Sequence, residues 1–117
     1  MKISEIVGSY ILEGTNQDAE GSKYEGSLDL SLASDATLRA VWLINANQMQ
    51  HGVGSIKDEV LIIDFQYLGA NDELYNGIVA YQQESENTLH GVWTEEAGDS
   101  KYVGVEKAYK VKKQFLD

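Results

Sequence analysis

Hydrophobic and polar residues alternate with a period of two along most of this chain. In the segment 24–32, Tyr24, Gly26, Leu28, Leu30 and Leu32 alternate with polar residues. Successive side chains of a β-strand point to opposite faces, so this alternation is typical of a strand with one buried face. No interior stretch keeps the 3.6-residue period of an amphipathic helix. The pattern therefore predicts an all-β protein.

Turn signals divide the chain into eight candidate strands. Clusters of Gly, Asn, Asp and Ser separate the alternating runs, and the chain contains no proline. Strands are predicted over residues 7–14, 23–33, 37–46, 49–57, 59–68, 75–83, 88–95 and 101–110. A repeat of a large residue, any residue and then Gly recurs at a spacing of one or two strand-plus-turn lengths. This spacing is typical of an up-and-down meander.

The glycines of this repeat favour closure of the meander into a barrel. Glycine weakens a strand unless room is needed at that position. A Gly two residues from an aromatic shares its face, so we expect it to make room for that ring or for sharp coiling of the strand. Closure also removes exposed sheet edges. The sequence predicts one domain over residues 1–117, an eight-stranded antiparallel up-and-down β-barrel, with a two-sheet β-sandwich as the alternative.

The parity of a residue, its odd or even position within its strand, predicts whether its side chain faces the interior of the barrel. The inward set is Tyr10, Leu12, Tyr24, Leu28, Leu30, Trp42, Ile44, Leu61, Ile63, Phe65, Val79, Tyr81, Leu89 and Trp93. An eight-stranded barrel is wide enough either to be filled by such side chains or to hold one small ligand, and both interpretations stay open. If there is a cavity, the predicted ligand-contacting residues are Tyr10, Tyr24, Trp42, Phe65, Tyr81, Trp93 and Glu106.

Glu106 is the acidic residue whose parity places it inside the barrel, on the face of Gly104 and Ala108. A buried carboxylate requires a partner or a raised pKa. Arg39 has the opposite parity in its strand, so a tyrosine hydroxyl is the expected partner. Glu106 is interpreted first as a structural hydrogen-bond acceptor, and alternatively as a group that orients a ligand or acts as a general base.

Short motifs give the chain a resemblance to known barrels. The motifs are Tyr24-Glu25-Gly26, Trp42, Gly52-Val53-Gly54, Gly91-Val92-Trp93-Thr94 and Gly104-Val105-Glu106. Together they resemble a family of small bacterial β-barrel domains often labelled "fibronectin-binding protein", a resemblance that brings no established activity. The fold-level pattern is also similar to the avidin and lipocalin (calycin) barrels, which implies binding of a small molecule in a central cavity.

The opposite strand faces carry a second set of apolar residues, which would lie outside a closed barrel. They are Val41, Leu43, Val60, Ile62, Ile78, Ala80, Val92, Val103 and Val105. A large exposed apolar surface usually marks an association surface, and a symmetric homo-oligomer is the commonest way to bury it. The outer wall of strands 5–8 is therefore predicted to mediate self-association. The alternatives are a sandwich or a terminal segment, residues 108–116, folded over this wall.

Composition narrows the possible functions. The net charge of −10 disfavours binding to nucleic acid or to anionic membranes, and the absence of cysteine excludes disulfides and thiolate metal sites. The sequence has neither an apolar leader nor an apolar run of membrane-spanning length, so a cytoplasmic location is expected. His51 and His90 should face outward and lack ligand spacing, so no metal or cofactor is predicted.

Three functions are consistent with these features. The first is a non-enzymatic barrel that binds a small apolar or aromatic ligand and self-associates. The second is a protein–protein interaction module with a filled barrel and an acidic surface. The third is a small barrel cyclase or isomerase in which Glu106 and a tyrosine transfer protons. No nucleophile-elbow or phosphate-loop motif is present, so the third function rests on Glu106 alone.

Overall fold

A computed structural model of the chain, which describes residues 1–111, is a closed eight-stranded barrel. A short helix α1 (Ile3–Ile6) precedes the strands β1 (Gly8–Thr15), β2 (Lys23–Leu32), β3 (Leu38–Ile44), β4 (Gln48–Lys57), β5 (Val60–Leu68), β6 (Leu74–Ser85), β7 (Thr88–Glu95) and β8 (Gly104–Lys110), and a 3₁₀ turn (Ala70–Asp72) joins β5 to β6. Every strand pairs antiparallel with its neighbours in sequence, and β1 pairs with β8. The predicted barrel is confirmed, and the sandwich alternative is excluded.

Two local features differ most from the sequence prediction, and the other strand bounds agree with it to within two residues. Strand β8 begins at Gly104 rather than at residue 101, because the preceding loop closes a turn in which the Tyr102 N–H donates to the Asp99 carbonyl at 3.0 Å. Helix α1 was not predicted, since its four residues are too few to show a helical period. No helix within residues 1–111 is long and apolar enough to cross a membrane.

The barrel interior follows the predicted parity. All residues of the predicted inward set are buried except Ile44 and Trp93, which are half-buried. Leu12, Leu28, Leu38, Leu61, Ile63 and Leu89 have between 0% and 1% of their surface exposed and fill one half of the interior. Burial of these aliphatic side chains supplies the main driving force for folding.

Helix α1 closes the filled end of the barrel. Ile6 is buried among the core residues, and the hydroxyl of Tyr10 donates to the Ile6 carbonyl at 2.6 Å. Burial raises the pKa of Tyr10 to about 12. The Lys110 ammonium donates to the Glu5 carbonyl at 2.7 Å and ties the helix to the end of β8. Side chains and helix α1 therefore fill this end of the barrel.

The outer faces of β5–β8 carry an apolar row that crosses all four strands. Ile62 pairs with Ala80, Ala80 with Val92, and Val92 with Val105. Ile62 and Val92 are each 40% exposed. The part of the predicted covering segment that spans residues 112–116 lies outside the described residues, while residues 108–110 belong to β8 itself.

Candidate functional site

A cavity of about 100 Å³ opens at the end of the barrel opposite α1, where β1, β3, β5 and β7 end. Its floor lies on the filled half of the interior. The lining residues are Asn16, Tyr24, Trp42, Ile44, Gln48, Gln50, Phe65, Tyr67, Val79, Tyr81, Trp93, Glu95 and Glu106. They come from every strand except β1, and Asn16 directly follows the end of β1. Formation of the cavity therefore depends on closure of the whole barrel.

Aromatic rings form the walls of this cavity. Phe65 forms edge-to-face pairs with both tryptophans, with ring centroids 5.8 Å from Trp42 and 6.3 Å from Trp93. Tyr24 meets Trp93 in the same edge-to-face geometry at 6.3 Å. Edge-to-face contacts place the positive edge of one ring against the negative face of another, which fixes the orientation of each ring. The walls are therefore held in place by the rings themselves.

Each of four wall rings lies over a glycine on the neighbouring strand. The pairs are Tyr24 on Gly14, Phe65 on Gly77, Tyr81 on Gly91 and Trp93 on Gly104. A Cβ atom added at Gly91 would lie 2.6 Å from the Tyr81 ring, which is well inside van der Waals contact. The sequence reasoning predicted room for a ring two residues away on the same strand. The ring that occupies the space instead comes from the directly opposed position across the ladder.

A hydrogen-bonded chain of five side chains forms the floor. The Trp42 indole donates to the Tyr81 hydroxyl at 3.1 Å, and Tyr81 donates to Oε2 of Glu106. On the other side, the Trp93 indole donates to the Tyr24 hydroxyl at 3.0 Å, and Tyr24 donates to Oε1 of Glu106 at 2.6 Å. The tyrosine partner expected for Glu106 is thus present on both carboxylate oxygens.

The environment of Glu106 makes its ionisation costly. Only 6% of the residue is exposed, and desolvation raises the pKa of its carboxyl group above the ordinary value, although the hydrogen bonds from Tyr24 and Tyr81 act in the opposite direction. Desolvation, together with the charge of Glu106, raises the pKa of both Tyr24 and Tyr81. The two tyrosines therefore stay protonated and available as donors. No buried side-chain polar atom in residues 1–111 lacks a hydrogen-bond partner.

A second carboxylate lies at the cavity mouth. The Tyr67 hydroxyl lies 2.8 Å from both oxygens of Glu95 and donates its single hydrogen to this carboxylate, and Tyr67 stacks on Tyr75 with centroids 5.3 Å apart. The Glu95 N–H donates to the Gln17 side-chain oxygen at 2.9 Å, while the Gln17 amide donates to the Asp99 carbonyl at 3.0 Å. Partial burial raises the pKa of Glu95. Gln17 thus ties the β1–β2 loop to the β7–β8 loop beside the mouth.

The structure gathers six of the seven predicted site residues around this cavity. Tyr24, Trp42, Phe65, Tyr81, Trp93 and Glu106 line it. Tyr10 does not, because it lies near the start of β1, where its hydroxyl is engaged by the Ile6 carbonyl at the closed end. Parity alone cannot distinguish the two ends of a barrel, and this is why Tyr10 was grouped with the others.

Sequence reasoning missed the polar residues of the mouth. Tyr67 shares the parity of Phe65, Glu95 follows Trp93 by two residues, and Gln48 and Gln50 precede Gly52 on the same face. The parity signal was present for these residues, but the predicted interior and the predicted site did not include them. Asn16 lies beyond the end of β1, where alternation gives no information.

The two histidines lie apart from this site. His51 is exposed on β4, and His90 is half-buried on β7, which is not adjacent to β4 in the barrel. Within the described part of the chain, no three His, Cys, Asp or Glu side chains converge on a point that suits a metal ion.

Comparison with solved structures yields several designed barrels of the same fold. A redesigned β-barrel, b11L5F_LGL, superposes with a TM-score of 0.78 at 14% identity over 94% of this chain and 95% of its own. The redesigned barrel mFAP1, solved bound to DFHBI, gives a TM-score of 0.74 at 16% identity, covering 92% of this chain and 97% of its own. A de novo designed fluorescence-activating β-barrel gives 0.72 at 8% identity, covering 93% and 96%. Identities this low establish the fold alone.

No protein-family model matches this sequence, and no curated protein matches it significantly. The resemblance to the bacterial barrel family therefore rests on the short motifs only.

Proposed function

We propose that this protein binds a small aromatic molecule in the cavity at the open end of its barrel. The observation that carries the proposal is the contrast between the two halves of the interior. Aliphatic side chains fill the half next to α1, whereas aromatic rings and a few polar groups surround a void in the other half. A concave, mostly apolar site with a few convergent polar groups is the usual form of a small-molecule site.

The volume of the cavity limits the size of the ligand. Pockets for drug-sized ligands enclose about 300–1,000 Å³, and an apolar cavity of about 150 Å³ is large enough to hold benzene. The cavity here is smaller, at about 100 Å³, and it is open at the barrel end, so a single ring would fill it and reach into the mouth. Larger substituents would extend into the mouth between Glu95, Gln48 and Gln50.

The designed barrels of the same fold support this use of the interior. The redesigned barrels mFAP0 and mFAP1 were each solved bound to DFHBI. A closed barrel of this shape can therefore carry a small-molecule site, while the identity of the ligand is not transferable at 16% sequence identity.

Both tryptophans of the chain line the cavity, so intrinsic fluorescence reports directly on its occupancy. Toluene, benzyl alcohol and benzylammonium are suitable ring-sized probes. We expect at least one of them to raise the melting temperature and to change the tryptophan emission saturably, because a ligand that binds only the native state stabilises it. Failure of all ring-sized probes to do either would overturn the proposal.

A matched pair of variants locates the binding. Val79→Phe adds a ring inside the cavity, whereas Val53→Phe makes the same change on the outer face of β4, where Val53 is 51% exposed. Val79→Phe should abolish the probe response, and Val53→Phe should retain it. A response that survives Val79→Phe in a folded barrel would place the ligand elsewhere.

We also propose that the barrel self-associates with a second copy through the outer faces of β5–β8. The apolar row Ile62–Ala80–Val92–Val105 supports this, since it is continuous across four strands and lies on a wall that a two-fold axis can pair with itself. The cavity mouth is at the end of the barrel, so wall-to-wall association leaves it accessible.

A further inference from the structure

Within residues 1–111, no positively charged group pairs with the buried carboxylate of Glu106. In the part of the chain that the structure describes, no Lys, Arg or His lines the cavity. The ion pairs found in residues 1–111 join the Met1 amino group to Glu59 and Lys107 to Glu84, away from the cavity. Buried charges in proteins are usually paired, and a cationic ligand in the cavity would supply a partner that the described side chains do not.

The hydrogen bonds of the floor leave acceptor sites but few donors. The two oxygens of a carboxylate offer about four lone-pair sites, and Tyr24 and Tyr81 use one on each oxygen of Glu106. Both tyrosine hydrogens are committed to Glu106, and both indole N–H groups are committed to the tyrosines. A ligand that reaches the floor therefore meets carboxylate oxygens that accept, and it must supply the hydrogens itself.

The walls of the cavity also favour a positively charged ligand. Trp42, Phe65 and Trp93 line the void, and the faces of aromatic rings carry partial negative charge. Such faces attract ammonium and guanidinium-like groups, most strongly when the cation is desolvated. Glu95 adds a second carboxylate at the mouth, and the protein as a whole has a net charge of −10. An anionic ligand would be disfavoured at each of these points.

We propose that the ligand is a small organic cation, such as a protonated amine or amidine, attached to an aromatic or compact apolar group. Its N–H groups donate to Glu106, and its apolar part lies between Trp42, Phe65 and Trp93. This proposal rests on the proposed binding function and names the class of ligand. It differs from the sequence-based expectation of a largely apolar ligand in requiring a positive charge.

Three probes of nearly equal shape distinguish the effect of ligand charge from binding of the aromatic ring alone. Benzylammonium, benzyl alcohol and benzoate differ mainly in being cationic, neutral and anionic, and their affinities for the full-length protein can be measured by calorimetry near pH 7.5. Charge-assisted hydrogen bonds are about twice as strong as neutral ones. We expect benzylammonium to bind about tenfold more tightly than benzyl alcohol, a difference near 1.4 kcal/mol, and benzoate to bind most weakly.

Two charge-matched variants test the assignment to Glu106. Glu106→Gln and Glu86→Gln each remove one negative charge, but Glu86 is exposed in the β6–β7 turn. Glu106→Gln should bring benzylammonium and benzyl alcohol to similar affinities, and Glu86→Gln should keep the tenfold preference. A preference that persists in Glu106→Gln would overturn the role of this carboxylate.

The two proposals fail in different ways. Equal or tighter binding of benzyl alcohol or benzoate by the unaltered protein would overturn the cation proposal and leave the binding function standing. Absence of binding by these three probes and by toluene would overturn the binding function itself. The ranking of probes on the unaltered protein is independent of the variants, so it decides the matter even if Glu106→Gln does not fold.

Discussion

The hydroxyl of Tyr24 donates to Oε1 of Glu106 at 2.6 Å and thereby connects β2 to β8 inside the barrel, across the intervening β1. Tyr81 holds the other carboxylate oxygen from β6. Each tyrosine in turn accepts from an indole, so the carboxylate is oriented from two sides by groups that are themselves oriented. This arrangement fixes the floor of the cavity before any ligand binds, and preorganisation of this kind lowers the cost of binding.

The first prediction concerns the floor network. Tyr81→Phe leaves the Trp42 indole without its acceptor and removes one donor to Glu106, which should lower the free energy of unfolding by about 1–3 kcal/mol. Tyr10→Phe removes a buried hydroxyl at the closed end and should cost a similar amount. Urea denaturation measures both losses. Only Tyr81→Phe should alter the tryptophan emission of the folded protein, and an equal change in Tyr10→Phe would contradict the separation of the two ends.

The second prediction is a pH dependence. The pKa of Glu106 is raised in the folded state above its ordinary value of 4.5. At pH values between 4.5 and this raised pKa, the folded protein therefore binds more protons than the unfolded chain. The free energy of unfolding should therefore fall as pH rises through this window. The pKa of Glu95 is also raised. Because Glu95 is present in both the native protein and Glu106→Gln, its contribution cancels when the two are compared.

Subtracting the stability–pH curve of Glu106→Gln from that of the native protein isolates the contribution of Glu106 to stability. The native protein should lose stability relative to Glu106→Gln as pH rises above about 4.5, and the difference should level off above the folded pKa. A difference that stays flat, or that changes in favour of the native protein, would show that Glu106 is not desolvated.

The third prediction tests the pairing of rings with glycines. Gly91→Ala places a methyl group against the Tyr81 ring at a distance of 2.6 Å, so the ring or the strand must move. Overpacking of this kind should lower the free energy of unfolding by about 1–3 kcal/mol. Ser27→Ala, on the exposed face of β2, should remain within about 0.5 kcal/mol of the native protein. Similar losses in both variants would argue against a specific role for Gly91.

The fourth prediction concerns self-association. Val92→Asp introduces a charge into the middle of the apolar row on β5–β8, so it should convert the assembly into a monomer. Val53→Asp makes the same change on β4, outside this row, and should leave the assembly intact. Sedimentation velocity over a concentration series measures both. A native protein that remains monomeric at all concentrations would contradict the proposal.

The fold was accessible from sequence because alternation, turn residues and recurrent glycines all indicate the same architecture. Parity also placed Glu106 inside and identified tyrosine as its partner. It could not separate the closed end from the open one, since that depends on helix α1, and Ile6 lies outside every alternating run. Tyr10 was for this reason grouped with the residues of the cavity, although it lies at the closed end.

The mouth of the cavity was missed for a different physical reason. Glu95 and Tyr67 satisfy each other, so a polar pair occupies an inward position that looks unfavourable for either residue alone. Sequence shows single residues along a strand, whereas such pairs form across strands that are distant in sequence. The glycine–ring contacts were misassigned on the same basis, because the register between strands is not visible from parity.

The most direct test of the aromatic cavity uses the two indole N–H groups as reporters. The chain contains two tryptophans, Trp42 and Trp93, and each donates to a tyrosine of the floor. Their ¹⁵N–¹H resonances should be resolved in a uniformly labelled sample and should both shift saturably on titration with benzylammonium, with a single dissociation constant. Indole resonances that stay unmoved while benzylammonium, benzyl alcohol and toluene are each added to millimolar concentration would contradict the account.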